Sequence, residues 1–237
     1  MQRVLKRPAP FLLSGNVLKI LAAVTMTVDH VGMTLFPGLP VLRFIGRLAF
    51  PIFAFMVAEG CAHTRSMGRY FLHMASLALI CQTTYTIAMQ SWFLCVPVSF
   101  ALAIPLVFAL QQWKRTTDKL PKRLWAVIFL AGIVAVWALT RCVTLDYGFW
   151  GCMMPVAASL FRDADTKLDK NIVHVLAMGA VMVPLAMSLG PWQWYSMLAL
   201  PLLLLYSGQR GKYKMKYFFY VFYPAHLVII QGLSMIL

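Results

Sequence analysis

The sequence predicts an all-α fold, a polytopic transmembrane helical bundle of about nine helices with its N-terminus in the cytoplasm. Three observations lead there. Of 237 residues, 61% are hydrophobic and 12% charged, whereas an ordinary soluble domain carries roughly 25% charged residues. Apolar stretches close to the roughly 17–25 residues that a bilayer crossing needs recur along the whole chain. Lys and Arg outnumber Asp and Glu 21 to 7, and the cations gather in alternate gaps between the apolar stretches. Such an excess fits nucleic acid, anionic lipid or loops held in the cytoplasm. The alternation selects the last and argues against a nucleic-acid partner.

The first segment, residues 17–36, follows a basic N-terminus as a signal peptide would. It is too long for one, contains Asp29 and His30, and lacks the small-residue cleavage site, so it is expected to remain as a signal-anchor helix. The second, 44–62, places Pro51 four residues after Arg47, which removes one backbone hydrogen bond and is expected to kink the helix. Segments 70–90, 92–111 and 124–142 follow, then a short one at 147–161, another at 172–189, a second short one at 192–206, and the last at 217–236. The two short segments are tilted, interrupted or only partly inserted. They leave eight spans as the alternative count, and the loop charges favour nine.

With the N-terminus inside, the cytoplasmic gaps hold Arg3, Lys6 and Arg7; Arg65 and Arg69; Lys114, Arg115, Lys119, Lys122 and Arg123; Arg162, Lys167 and Lys170; and Arg210, Lys212, Lys214 and Lys216. The outer loops hold only Arg43 and Arg141 near their edges, so the positive-inside rule is obeyed at every turn. No gap is long enough for a soluble domain and no repeat is evident, so residues 1–237 read as one membrane domain. Cys61, Cys81, Cys95, Cys142 and Cys152 lie in or beside apolar segments without metal-type spacing. They read as small packing residues, and no metal site is expected.

Charge inside the hydrocarbon is costly, so intramembrane ionisable residues call for a functional hypothesis. Thr27, His30 and Thr34 form one polar stripe on the first helix, while Asp29 points about 100° away. Asp29 is therefore expected to reach a cation on the next helix, with Arg47 and Arg43 the candidates by depth. That contact is either a structural ion pair or part of a site in which the Arg47 fork binds carboxylate or phosphate. Glu59, near the cytoplasmic end, is expected to pair with Arg65 or Arg69. The last helix carries Tyr223 and His226 on one face with Pro224 between them. A second buried histidine suggests proton transfer. Asp146, beside Tyr147 and Gly148, sits where a helix cap would be.

Four motifs resemble the TraX family when taken together: VDHVG on the first helix, FIGRLAFPIFAF on the second, LDYGFWG at the sixth and KYFFYVFYPAHL on the last. They span most of the chain. The matching positions are Asp29, His30, Gly46, Arg47, Phe50, Pro51, Tyr147, Gly148, Tyr223 and His226. The resemblance implies a transmembrane acetyltransferase of the bacterial inner membrane, with acetyl-CoA as donor and a pilin N-terminus, glycan or lipid as acceptor. It implies a catalytic group of His30, Asp29, His226 and Tyr223, with His30 as base and direct attack preferred to an acyl-histidine. Arg47, Asp146 and Tyr147 would bind substrate. Arg65, Arg69, Lys212 and Lys214 would meet the CoA phosphates, although topology and anionic lipid account for the same charges. The rival reading is a proton-coupled transporter or flippase, which needs the same buried polar residues and Pro-broken helices. It predicts transport of an unaltered substrate without acyl-CoA. A scaffold, the third reading, predicts that the histidines are dispensable.

Overall fold

The computed structural model describes residues 12–89, 92–161, 170–213 and 215–236. Helices run in the order α1 (Gly15–Thr34), α2 (Pro40–Gly46), α3 (Ala49–His63), α4 (Met67–Met89), α5 (Val96–Arg115), α6 (Lys119–Cys142), α7 (Gly148–Leu160) and α8 (Lys170–Leu189). A 3₁₀ helix (Pro191–Leu198), α9 (Ala199–Leu204) and α10 (Lys216–Ser234) complete the chain. Among the described residues no strand occurs, only two isolated bridges, Leu13 to Tyr206 and Leu94 to Leu145. Among the described residues, five helices are long and apolar enough to cross a membrane, counting Pro40–His63 as one. Counting the 3₁₀ helix with α9 as one short pass, the elements follow the nine expected segments in order.

Three boundaries depart from the sequence reading. The second segment is broken between Gly46 and Ala49, so Pro51 stands in the first turn of α3, where its missing N–H breaks no intrahelical bond. The fourth segment begins its helix at Val96, because Leu94 is taken by the α6–α7 loop. Its N–H donates to Thr144 O at 2.9 Å and its carbonyl accepts from Asp146 N–H at 3.0 Å. Pro97 then occupies the first turn, where proline is preorganised for helix. The short eighth segment is interrupted, changing from 3₁₀ to α geometry at Ala199.

Helix α7 lies at the centre. Every residue from Gly151 to Ser159 is buried, packed by α3, α5 and α8, which is why its sequence is apolar all round with no polar face. Helix α6 is the converse. Only Phe129 and Val136 are buried, and Leu124, Val127, Leu130 and Val134 are exposed, the surface expected of a lipid-facing helix.

The ends flanked by basic residues gather on one side. Leu13 N–H donates to Leu205 O at 2.7 Å and Gly15 N–H to Gln209 O at 2.8 Å, joining the start of α1 to the α9–α10 loop. Asn171 Nδ2 donates to Tyr206 O at 2.7 Å, and Lys114 Nζ reaches the carbonyls of Ser159 and Leu160 at the end of α7. The end of α1, α2 and the 3₁₀ helix lie on the opposite side, where Phe44 stacks on Trp192 and Tyr195. None of the five cysteines is in a disulfide, and Cys142 alone is exposed.

Candidate functional site

Close approach of α1 to α2 creates the first part of the site. A Cβ on Gly32 would stand 2.6 Å from Leu42 Cβ, and one on Gly46 would stand 2.5 Å from Asp29 Cγ. Small residues are what allow two membrane helices to touch backbone to side chain. Asp29 is thereby laid against α2, and it takes both of the cations expected for it. Arg43 Nη1 donates to Oδ2 at 2.7 Å, while Arg47 Nη2 is 3.6 Å from Oδ1. Arg43 is the tighter partner and Arg47 the looser one. Arg47 Nη1 also points at Gln193 Oε1, 3.4 Å away on the 3₁₀ helix.

The α6–α7 loop adds to this cluster. The Tyr147 ring stacks on Phe50 with centroids 3.7 Å apart and planes 4° from parallel. Gly148 follows with φ of 53°, a left-handed conformation that glycine adopts without the Cβ penalty. Asp146 does not cap α7: Tyr147 holds the N-cap position, without a side-chain cap bond. Asp146 lies instead close enough to Arg47 to act on it through charge, and the neutral Tyr147 phenol meets Arg47 by a hydrogen bond. Its own surface is exposed, yet protein closes round it on enough sides that burial lifts its carboxyl to about 6, against the opposing pull of Arg47.

Hydrogen-bond chemistry fixes the protons on the histidine pair. His30 Nδ1 lies 2.8 Å from His226 Nε2, and His226 Nδ1 lies 3.0 Å from Phe222 O. A carbonyl only accepts, so His226 carries its proton on Nδ1. In the neutral pair its Nε2 is then a lone pair, and His30 must donate to it from Nδ1. The lone pair of His30 is therefore on Nε2, turned away from His226 and able to take a proton. Phe222 stacks on the His226 ring with centroids 5.2 Å apart, and Tyr223 meets that ring edge-on at 5.5 Å.

A cavity of about 860 Å³ runs toward this pair from the basic side, within the size range of small-molecule and cofactor sites. Arg65, Arg69 and Arg210 line it near the loops, and Met26, Phe222 and Tyr223 line it deeper in. Met26 is one helical turn before His30 on the same face of α1, and Phe222 and Tyr223 adjoin His226. The inner end of the cavity is therefore lined by the neighbours of the histidine pair on both helices, Met26 on α1 and Phe222 and Tyr223 on α10, and by neither histidine itself.

Of the residues singled out in the sequence, Asp29, Arg47, Asp146 and Tyr147 meet in the outer cluster, and His30, His226 and Tyr223 meet where α1 approaches α10, with Tyr223 lining the cavity. Arg65 and Arg69 reach the cavity but not the outer cluster. Lys212 is exposed and outside the lining, where Arg210 stands instead, and Lys214 lies outside the described residues. Glu59 is bonded by Tyr206 Oη at 2.9 Å and approached by His63 Nδ1 at 3.7 Å, in place of Arg65 or Arg69. Sequence reasoning missed Gln193, and it missed Arg210 and Lys19 as residues lining the cavity. An amide within the aromatic run PWQWY was the available signal for Gln193, since it is polar at a depth where polar groups are costly.

A family model described as TraX protein matches residues 14–234. The chain is 25% identical over 253 residues to the probable fimbrial assembly protein FimC, serogroup H1, of Dichelobacter nodosus, covering 93% of this chain and 95% of that one. It is 50% identical over 40 residues to the uncharacterized protein RP591 of Rickettsia prowazekii (strain Madrid E), covering 17% and 16% of the two chains. No solved structure matches.

Proposed function

The chain belongs to the TraX family, and from that premise we propose that it is a membrane-embedded acyltransferase of the bacterial inner membrane. It moves an acetyl group from cytoplasmic acetyl-CoA to an amine or hydroxyl presented at the outer side. The observation that carries this reading is the end-to-end placement of the cavity and the His30–His226 pair. The pair adjoins Met26, Phe222 and Tyr223, which line a cavity that opens among arginines, and Asp29 beside His30 joins Arg47 in the outer cluster.

In this mechanism Arg65, Arg69 and Arg210 hold the CoA phosphates through charge-assisted hydrogen bonds, and the acyl arm runs inward past Met26 and Phe222. His30 Nε2 takes the proton from the acceptor N–H or O–H as the acceptor attacks the thioester carbonyl carbon. A new C–N or C–O bond forms. When the tetrahedral intermediate collapses, the C–S bond breaks and His30 returns the proton to the departing CoA sulfur. His226 keeps His30 in the required tautomer, and Tyr223 polarises the carbonyl as negative charge develops on its oxygen. Among acceptors, likeness to a protein named for fimbrial assembly favours a surface-fibre subunit over a glycan or lipid.

The test is release of CoA and acyl transfer by purified protein in nanodiscs with acetyl-CoA and a panel of amines, peptides and sugars. His30→Ala is expected to abolish transfer. His226→Phe keeps a ring to stack on Phe222 but removes the acceptor for His30 Nδ1–H, and is expected to lower kcat by about 10²-fold or more. Release of CoA that survives His30→Ala would refute the role of the pair. Wild-type protein that neither binds acetyl-CoA nor releases CoA would refute acyl transfer in favour of proton-coupled transport.

A further inference from the structure

We propose that Arg47 and Gln193 form the subsite that holds an oxygen atom of the acyl acceptor, with Gln193 as its positioning residue. The inference rests on the acyltransferase reading above and adds to it what the acceptor must carry beside its reactive nitrogen or oxygen.

Gln193 is only 2% exposed. Gly190, with φ of 97°, turns the chain inward from α8, and Gln193 N–H closes that turn on Gly190 O at 3.1 Å. A guanidinium only donates, so the side of the amide facing Arg47 Nη1 must be the oxygen. This fixes the amide orientation and directs Nε2, with its two N–H groups, elsewhere. Among the described residues, Nε2 is buried without a hydrogen-bond partner, and so is Arg47 Nε. Two orphaned donors thus sit on side chains that touch. Asp29 Oδ1 is an orphaned acceptor in the same cluster, since Arg47 Nη2 at 3.6 Å is beyond hydrogen-bond reach.

A purely structural role does not account for these groups. Pinning the 3₁₀ helix to α2 needs Oε1 alone, and each buried unsatisfied donor works against folding. Two donors without partners beside one acceptor instead match an incoming group that brings lone pairs and a hydrogen together. An amine or hydroxyl nucleophile with a carbonyl or hydroxyl oxygen a few bonds away fits. Its oxygen takes Gln193 Nε2–H and Arg47 Nε–H, and an N–H or O–H other than the one His30 removes meets Asp29 Oδ1. A plain alkylamine leaves the donors unmet, so the subsite discriminates against it, as sites built to bond a substrate atom reject the analogue lacking it.

The experiment compares glycinamide and glucosamine, which carry such an oxygen, with ethylamine, which does not, as acceptors for wild type, Gln193→Glu and Gln193→Leu in nanodiscs. Gln193→Glu keeps the size and the oxygen toward Arg47 while replacing the N–H donors with an acceptor. Wild type is expected to prefer an oxygen-bearing probe by about tenfold in kcat/KM, the equivalent of one hydrogen bond. Preference for one of the two identifies a peptide-type or a sugar oxygen. Both variants are expected to raise the KM for that probe about tenfold while leaving the KM for acetyl-CoA unchanged and affecting ethylamine less than the oxygen-bearing probe. Gln193→Leu also removes the Oε1 that Arg47 Nη1 meets and should melt lower than wild type, whereas Gln193→Glu keeps that oxygen and so separates loss of the subsite from loss of packing. Unchanged KM for the oxygen-bearing probes in both variants, or an equal fall with every acceptor, overturns the proposal. If wild type releases no CoA with any acceptor, the acyltransferase reading fails by itself. The subsite is then read from thermal stabilisation by glycinamide and glucosamine, expected in wild type and lost in Gln193→Glu. Equal stabilisation of both proteins, or of neither, overturns it.

Discussion

Replacing Gly46 by alanine sets two effects against each other, and the structure decides which wins. Gly46 is the last residue of α2, with no positive φ to protect. Helix propensity alone therefore favours alanine, by about 0.8–1.0 kcal/mol in a helix interior. The added Cβ would stand 2.5 Å from Asp29 Cγ, below any ordinary van der Waals contact. Asp29 has little freedom to move aside, because Arg43 holds its Oδ2 at 2.7 Å and Gly32 keeps the two helices close. Overpacking costs about 1–3 kcal/mol, and separating a buried carboxylate from its cation costs about 3–5 kcal/mol. The Arg43 and Asp29 side chains are 29% and 15% exposed, so separating them costs less than a fully buried pair, and subtracting the propensity gain leaves a loss of about 1–2 kcal/mol. Gly232→Ala in α10, where a Cβ would meet nothing within 4 Å, is the control and should be neutral or slightly stabilising. Thermal unfolding of the detergent-solubilised protein, followed by tryptophan fluorescence, measures both. A Gly46→Ala protein as stable as wild type would refute the claim that Asp29 is wedged against α2 and fixed there.

Two further outcomes are expected. The Asp146 carboxyl lies above its ordinary 3.8, at about 6, so its proton is bound more tightly in the folded state. Its contribution to stability is complete below about 3.8 and is lost as pH rises through about 6. Asp146→Asn should remove that part of the slope and be the more stable protein at pH 7, and a pH series of melting curves that superimpose in shape would contradict this. Cys142 ends α6 and is the exposed thiol, so an impermeant maleimide added outside spheroplasts should label it. Labelling that requires access from the cytoplasmic side would invert the orientation.

The candidate site was legible in its parts and less so in its connections. Asp29, His30, Arg47 and His226 stood out because each is an expensive group in an apolar segment. Helical periodicity correctly separated Asp29 from His30: one turned to Arg43 and Arg47, the other to His226. The cap assigned to Asp146 failed because the residue acts on the Arg47 cluster and leaves the helix start to Tyr147. Gln193 was overlooked because a neutral amide hardly lowers the hydropathy of its segment, so its importance shows only when its partners are placed.

Sequence alone determined that the chain is a helical membrane bundle and in what order its apolar segments and basic loops alternate, because transfer of apolar residues into lipid and retention of cations are local properties of each segment. Tertiary structure decided the rest: the break at Arg47 and Leu48, the choice of Arg43 as the closer partner of Asp29, and the meeting of His30 with His226 across nearly the whole chain. These depend on how far each helix is rotated and how closely it approaches its neighbours. In a membrane that is set by packing at residues such as Gly32 and Gly46, since lipid is as apolar as the helices and hydropathy does not distinguish one rotation from another.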